Sequence, residues 1–241
     1  MSAYVPSAGL IGLVAKLFPL RRRPEFDHLP IEELRKKHRP WDHVGTVAFF
    51  VLAPPCVYAL HAAFMRYTAA RAGGLELGRY TMLPGSAFWY VPASLVGAVA
   101  ACVLVSILYR VLLRGRAAEY RYVSNASAGF NATGMFIAAG IFFTIGGLAL
   151  GYFAAHSRLQ LTDREIVVHR LWSLDEERYP YARVKALKEL ESADGKKTDF
   201  IIEFDGAPEW TTAVEIIFPG ADEKGFLARQ TGKPILQLKA Q

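Results

Sequence analysis

The sequence predicts a membrane α-helical protein with three transmembrane helices, followed by a C-terminal all-β barrel with a short terminal helix. Three observations predict it. Stretches 44–65, 87–109 and 123–155 contain no Asp, Glu, Lys or Arg, and each supplies the roughly 20 residues that a helix needs to cross about 30 Å of hydrocarbon. After residue 156 the apolar runs give way to short alternating segments separated by turn residues, the pattern of half-buried strands. The basic excess lies beside the apolar stretches: residues 1–43 hold eight Lys/Arg against five Asp/Glu and 110–122 four against one, whereas 156–241 hold thirteen against fifteen. That distribution suits the anionic headgroups of a lipid bilayer and argues against nucleic acid, which calls for a basic face on the soluble part.

The chain therefore divides into a basic juxtamembrane segment, 1–43, a membrane region, 44–155, with spans at about 44–66, 87–110 and 129–155, and a β domain, 156–241. Residues 7–20 are apolar but do not read as a signal peptide, because Arg21-Arg22-Arg23 follows the apolar stretch and Lys16 interrupts it. They read as an interfacial amphipathic helix, with a short fourth span as the alternative. Residues 21–43 mix charge with three prolines and carry one helical signal, at 31–37. Arg21, Arg22, Arg23, Lys36 and Lys37 are the cations expected at the headgroups. Trp41, Trp89 and Tyr90 stand at the starts of spans, where amphipathic rings favour the interface.

The first span carries Pro54-Pro55 at its centre, which removes amide donors and predicts a kink. A kink of this kind either packs against neighbouring helices or exposes backbone groups to a substrate. His61 lies about one turn from the end of that span, and spans two and three supply no acid or His for a proton relay. In the third span Gly147 and Gly151 form a GxxxG pair, suited to close helix packing within the chain or between copies in a homo-oligomer. Cys56 and Cys102 both fall inside spans and build no disulfide framework or metal site. The sequons at Asn125 and Asn131 stand too near the membrane for easy glycosylation.

In the tail, Arg158–Leu161, 165–171, 176–181, Val184–Glu191, Thr198–Phe204 and 211–218 read as strands, with turns at 192–195 and 205–208. A helix over 221–230 follows, stopped by Gly232 and Pro234, and an antiparallel meander with that helix over one open end makes a small barrel or sandwich.

Residues 159–190, LQLTDREIVVHRLWSLDEERYPYARVKALKEL, resemble the opening of a bacterial pleckstrin-homology-like domain. The turn Leu161-Thr162-Asp163 leads into alternating Ile166-Val167-Val168, an aromatic-proline step follows at Tyr179-Pro180-Tyr181, and the chain leaves through Val184-Lys185-Ala186-Leu187. The resemblance covers the last third of the chain and speaks to fold more than to function. It implies a domain that follows membrane helices in a bacterial inner membrane and serves protein interaction or oligomerisation. Phosphoinositide-binding members of that superfold gather Lys and Arg around the first loop, which here is Thr162-Asp163-Arg164, so specific phosphoinositide binding is not expected.

Glycine-rich phosphate loops, HExxH, GxSxG and metal-spaced His/Cys pairs are missing from the sequence. His156 and His169 read as surface or interface residues, and Glu176-Glu177 as a solvated edge. The expectation is a non-enzymatic integral membrane protein with no catalytic, cofactor or metal residues, presenting its C-terminal domain to an unknown protein partner or as a scaffold. The alternative is a small transporter, channel or channel accessory subunit using the kinked first span; an enzyme acting on lipid is the weakest reading. Residues 21–43 and 110–122 together hold eleven Lys/Arg, which places the N-terminus in the cytoplasm. Three spans then put the tail outside, whereas the resemblance leads one to expect it inside.

Overall fold

A computed structural model describes residues 12–20, 25–26, 30–73, 79–191 and 198–239. The chain forms two compact units, residues 1–60 with 93–147 and residues 61–92 with 148–241. Helices α1 (Ile31–Gly73), α2 (Tyr90–Leu113) and α4 (Ala132–His156) supply three segments long and apolar enough to cross a membrane. Between the last two, α3 (Ala117–Ala128) follows a 3-10 turn at Arg114–Arg116.

The expected short helix at 31–37 and the first span are one element of 43 residues, about 65 Å long at the helical rise. Its first turn carries Glu32 and Glu33, where the helix dipole favours acids. Leu34, His38 and Gly45 are buried along one face, and that face has partners: Tyr120 donates its hydroxyl to Asp42 Oδ1 at 2.7 Å, and Tyr109 donates to the Trp41 carbonyl. Pro40, Pro54 and Pro55 lie inside the helix without ending it. In the same unit α1 and α2 meet backbone to side chain at Gly97, where a Cβ would fall 2.8 Å from Val57 Cγ2 and 2.9 Å from its Cα.

The uncharged run 123–155 is divided close to 129, where the third span was expected to begin, and its spanning helix starts at Ala132. Gly129, at φ 76°, ends α3 in the left-handed conformation that a glycine adopts without a Cβ clash. Asn131 Oδ1 then accepts from the Gly134 amide at 3.0 Å, an N-cap bond that starts α4. Of the stretch 7–20, residues 12–17 are helical, and the part of the expected interfacial helix or fourth span before residue 12 lies outside the described residues. The Phe18 carbonyl accepts from the Asn131 amide at 2.9 Å.

In the second unit, β1 (Tyr80–Met82), β2 (Arg158–Leu161), β3 (Glu165–His169) and β4 (Glu176–Pro180) form an antiparallel sheet in sequence order. β1 comes from the connection between α1 and α2 and pairs Tyr80 with Leu161 and Met82 with Leu159. The second sheet has the order β7-β6-β5-β8, built from β5 (Val184–Glu191), β6 (Thr198–Phe204), β7 (Trp210–Thr211) and β8 (Ile235–Lys239). Its pairs are antiparallel except β5 with β8, which is parallel. β2, β5 and β6 keep the bounds expected from their alternation. The core holds Leu159, Leu161, Ile166 and Val168 from the first sheet and Leu187, Phe200, Ile202 and Trp210 from the second, each fully buried aliphatic side chain contributing about 1.5–3 kcal/mol.

Three expectations for this part are corrected. The barrel does not close, because β8 occupies the edge of β5 that β4 would have to meet. The helix α6 (Ala221–Thr231) is not terminal, since Gly232, at φ 64°, turns the chain into β8. The strand expected at 211–218 stops at Thr211, whose side chain caps the one-turn helix α5 (Thr212–Glu215) by accepting from the Ala213 amide at 3.3 Å. Ile216 then adopts φ 54°, an uncommon conformation for a β-branched residue.

Candidate functional site

The four sheet edges are protected unequally. β1 has three residues and β7 two, too short to template pairing, and β4 carries Glu176, Arg178 and Pro180, residues that blunt an edge. β8 has five residues, and β5 is its one strand partner among the described residues. Leu236 is 45% exposed and Leu238 41%.

Register explains their exposure. Leu187, Ile202 and Ile235 align across β5, β6 and β8 on the core side, so residues one step along face outward. Lys188 lies between Ile201 and Leu236, and Leu190 pairs with Leu238. An apolar patch of Leu190, Ile201, Leu236 and Leu238 therefore surrounds the Lys188–Glu203 ion pair beside an open edge. On the other face, Glu189 accepts from Lys224 Nζ and from Gln237 Nε2, both at 2.7 Å, and these two bonds, Lys224's first, hold its carboxyl below the usual range. They tie β8 to β5 and α6.

The charged residues of the first sheet are engaged with one another. Glu176 Oε2 lies 2.7 Å from His169 Nε2 and 3.2 Å from Arg158, and Oε1 lies 2.6 Å from Arg178. The hydrogen bond from His169, followed by those from Arg178, keeps the Glu176 carboxyl below the usual range. Glu177 accepts from Arg170 Nε at 2.9 Å and from the Tyr179 hydroxyl at 2.8 Å. His169 is buried, so it is a sheet residue holding Glu176 and not a surface histidine. Glu215, also buried, accepts from the Leu171 amide at 2.6 Å, with Arg170 3.6 Å away; burial outweighs both and pushes its carboxyl up. The described residues contain no group of three or more His, Cys, Asp or Glu placed to hold a metal. At the loop 162–164, Asp163 faces Arg79 at 3.7 Å with both side chains exposed, a pair of little energetic weight.

The helix-end residues separate into exposed and enclosed. Arg21, Arg22 and Arg23 lie outside the described residues. Lys36 and Lys37 are exposed, and Lys37 Nζ donates to Glu119 Oε1 at 2.8 Å. Trp41 is half-buried, edge-on to Tyr109. Trp89 is fully buried, stacked on Phe64 and packed with Ala154, Ala155 and Leu171; its ring serves packing. Tyr90 is half-exposed and stacks on His61, whose Nε2 lies 3.1 Å from the Ser86 carbonyl. Pro54 and Pro55 are exposed on the helix surface. Gly147 and Gly151 are both buried, and a Cβ on Gly151 would lie 2.6 Å from Phe64 Cε1.

Sequence reasoning missed β8 as a surface. Its alternation is present in Ile235-Leu236-Gln237-Leu238, but the segment follows the helix that Gly232 and Pro234 stop. Comparison of the chain with protein-family models, curated proteins and solved structures finds no match.

Proposed function

We propose that this chain is a non-enzymatic, multi-pass membrane protein that presents a two-sheet domain, related to bacterial pleckstrin-homology-like domains, to a protein partner. The membrane assignment is supported by side chains such as Phe50, Tyr58, Phe136, Ile141, Phe142 and Ile145, exposed along helices of spanning length. An apolar surface of that extent is covered by lipid. Three crossings also agree with the pairings at the helix ends. Lys37 with Glu119 joins the segments before the first span and after the second, while β1 with β2 joins the segments after the first span and after the third. The charge count then gives the first pair of segments to the cytoplasm and the domain to the opposite side.

The observation that carries the interaction role is the edge of β8 that has no strand partner among the described residues, with its flanking leucines. Unpaired main-chain groups along an edge, with apolar side chains at alternate positions, suit addition of an extended segment from another protein. A photo-crosslinking residue at position 238 of the full-length chain in its membrane is expected to yield a discrete adduct, lost in a Leu236→Asp variant, which alters an exposed side chain, with unchanged melting. The same probe at exposed Lys185 is expected to yield none. Equal labelling from both positions, or none from 238, rejects the proposal. An adduct of twice the chain mass would identify the partner as a second copy.

A further inference from the structure

The first unit contains a recess of about 760 Å³, lined by Lys37, His38 and Trp41 of α1 and by residues 111–116 at the end of α2. Its lining combines the apolar Trp41, Val111, Leu112 and Leu113 with three cations, Lys37, Arg114 and Arg116, and includes no acid. The acid beside it is Glu119, whose Oε1 lies 2.8 Å from Lys37 Nζ and 2.9 Å from His38 Nε2. Neither ion pair includes Arg114 or Arg116, so among the described residues two guanidinium charges remain uncompensated there. Arg114 also holds φ 45°, a left-handed conformation costly for a residue with a Cβ and concentrated where function demands it.

The His38 side chain is only 4% exposed, and its Nδ1 is buried with no partner among the described residues. Nε2 faces a carboxylate oxygen, which only accepts, so Nε2 carries a proton. Guanidinium forks suit phosphate, while an indole and aliphatic side chains suit the region where a headgroup meets its acyl chains.

We infer that this recess binds the phosphate of an anionic phospholipid headgroup, with Arg114 and Arg116 as the principal contacts. The inference rests on the membrane assignment above. Lipid is favoured over a soluble phosphate because half of the lining is apolar and the recess adjoins α2, a helix of spanning length. Basic pockets between membrane helices bind such headgroups in general.

The test uses full-length protein in detergent and native mass spectrometry with phosphatidylglycerol or phosphatidylcholine at equal concentration. Phosphatidylglycerol adducts are expected to dominate. The variant Arg114→Gln/Arg116→Gln is expected to lower phosphatidylglycerol affinity roughly tenfold or more, while Arg110→Gln, which removes an exposed charge one turn earlier and outside the recess, is expected to retain it. Equal losses in both variants, or no preference between the lipids, overturn the inference. Inorganic phosphate that displaces the lipid when chloride at matched ionic strength does not would assign the site to a soluble anion and overturn the lipid assignment. Arg116→Gln alone carries the test if replacing Arg114 lowers the melting temperature. Carbonate extraction of membranes reads insertion separately, so a failed membrane assignment is distinguishable from a failed lipid site.

Discussion

Replacing Gly151 by Ala adds one methyl at a place with no room for it. The new Cβ would lie 2.6 Å from Phe64 Cε1, 3.1 Å from Cζ and 3.2 Å from Cδ1, well inside van der Waals contact. Phe64 cannot simply withdraw, because its ring stacks on Trp89 at 5.8 Å and Trp89 has no exposed surface. Strain of this kind costs about 1–3 kcal/mol, which for a chain of this size corresponds to a melting temperature lower by about 2–12 °C. Gly146 is the matched control: it belongs to the same helix, is exposed, and a Cβ there meets nothing within 4 Å. Melting of full-length protein in detergent should therefore fall for Gly151→Ala and hold for Gly146→Ala. Adding Phe64→Leu to the first variant should restore part of the loss, a coupling of about 1 kcal/mol in a double-mutant cycle. Crosslinking yield, measured alongside, decides between the two roles of the glycine pair. A loss of dimer with unchanged melting would mean that Gly151 lines a contact between copies and that packing against Phe64 is immaterial.

Further outcomes follow from the same geometry. Reporter fusions after Arg39 and Arg116 should report the same side of the membrane and a fusion after Gln241 the other; agreement of all three would break the three-crossing topology. Met82→Ala should destabilise the sheet domain by about 2–5 kcal/mol, because this buried side chain from the α1–α2 connection belongs to its core; a neutral effect on limited proteolysis of the domain would show that β1 is dispensable. Since burial raises the Glu215 carboxyl, the folded state binds that proton more tightly than the unfolded chain, and stability from this group falls as pH rises from the ordinary carboxylate range to the raised value. Glu215→Gln should gain on the wild type across that window, and a pH-independent difference would refute the assignment. Glu176, held low by His169, carries the opposite sign: its contribution is present above the ordinary carboxylate range and lost as pH falls through the folded value. Glu176→Gln should thus cost stability at neutral pH and little in strong acid.

What the sequence determined by itself was local. Three charge-free stretches made three long apolar helices, and the alternation in 158–161, 184–191 and 198–204 set β2, β5 and β6 at their observed bounds. Both signals are readable because hydropathy and side-chain period are properties of a window of ten to twenty residues. Tertiary structure decided whatever depended on a distant partner. Tyr80–Met82 is too short to show a period and is a strand because β2 offers it an edge; β8, likewise, takes the edge of β5 and leaves the barrel open. Trp89 was legible as an aromatic at a helix start, but only its packing with Phe64 and Leu171 made it a core residue. Lys37, His38, Arg114 and Arg116 stand some 75 positions apart in two groups, and no pattern along the chain announces that a helix face and a left-handed turn enclose them in one recess. Proximity across such separations is set by packing, which no window of sequence contains.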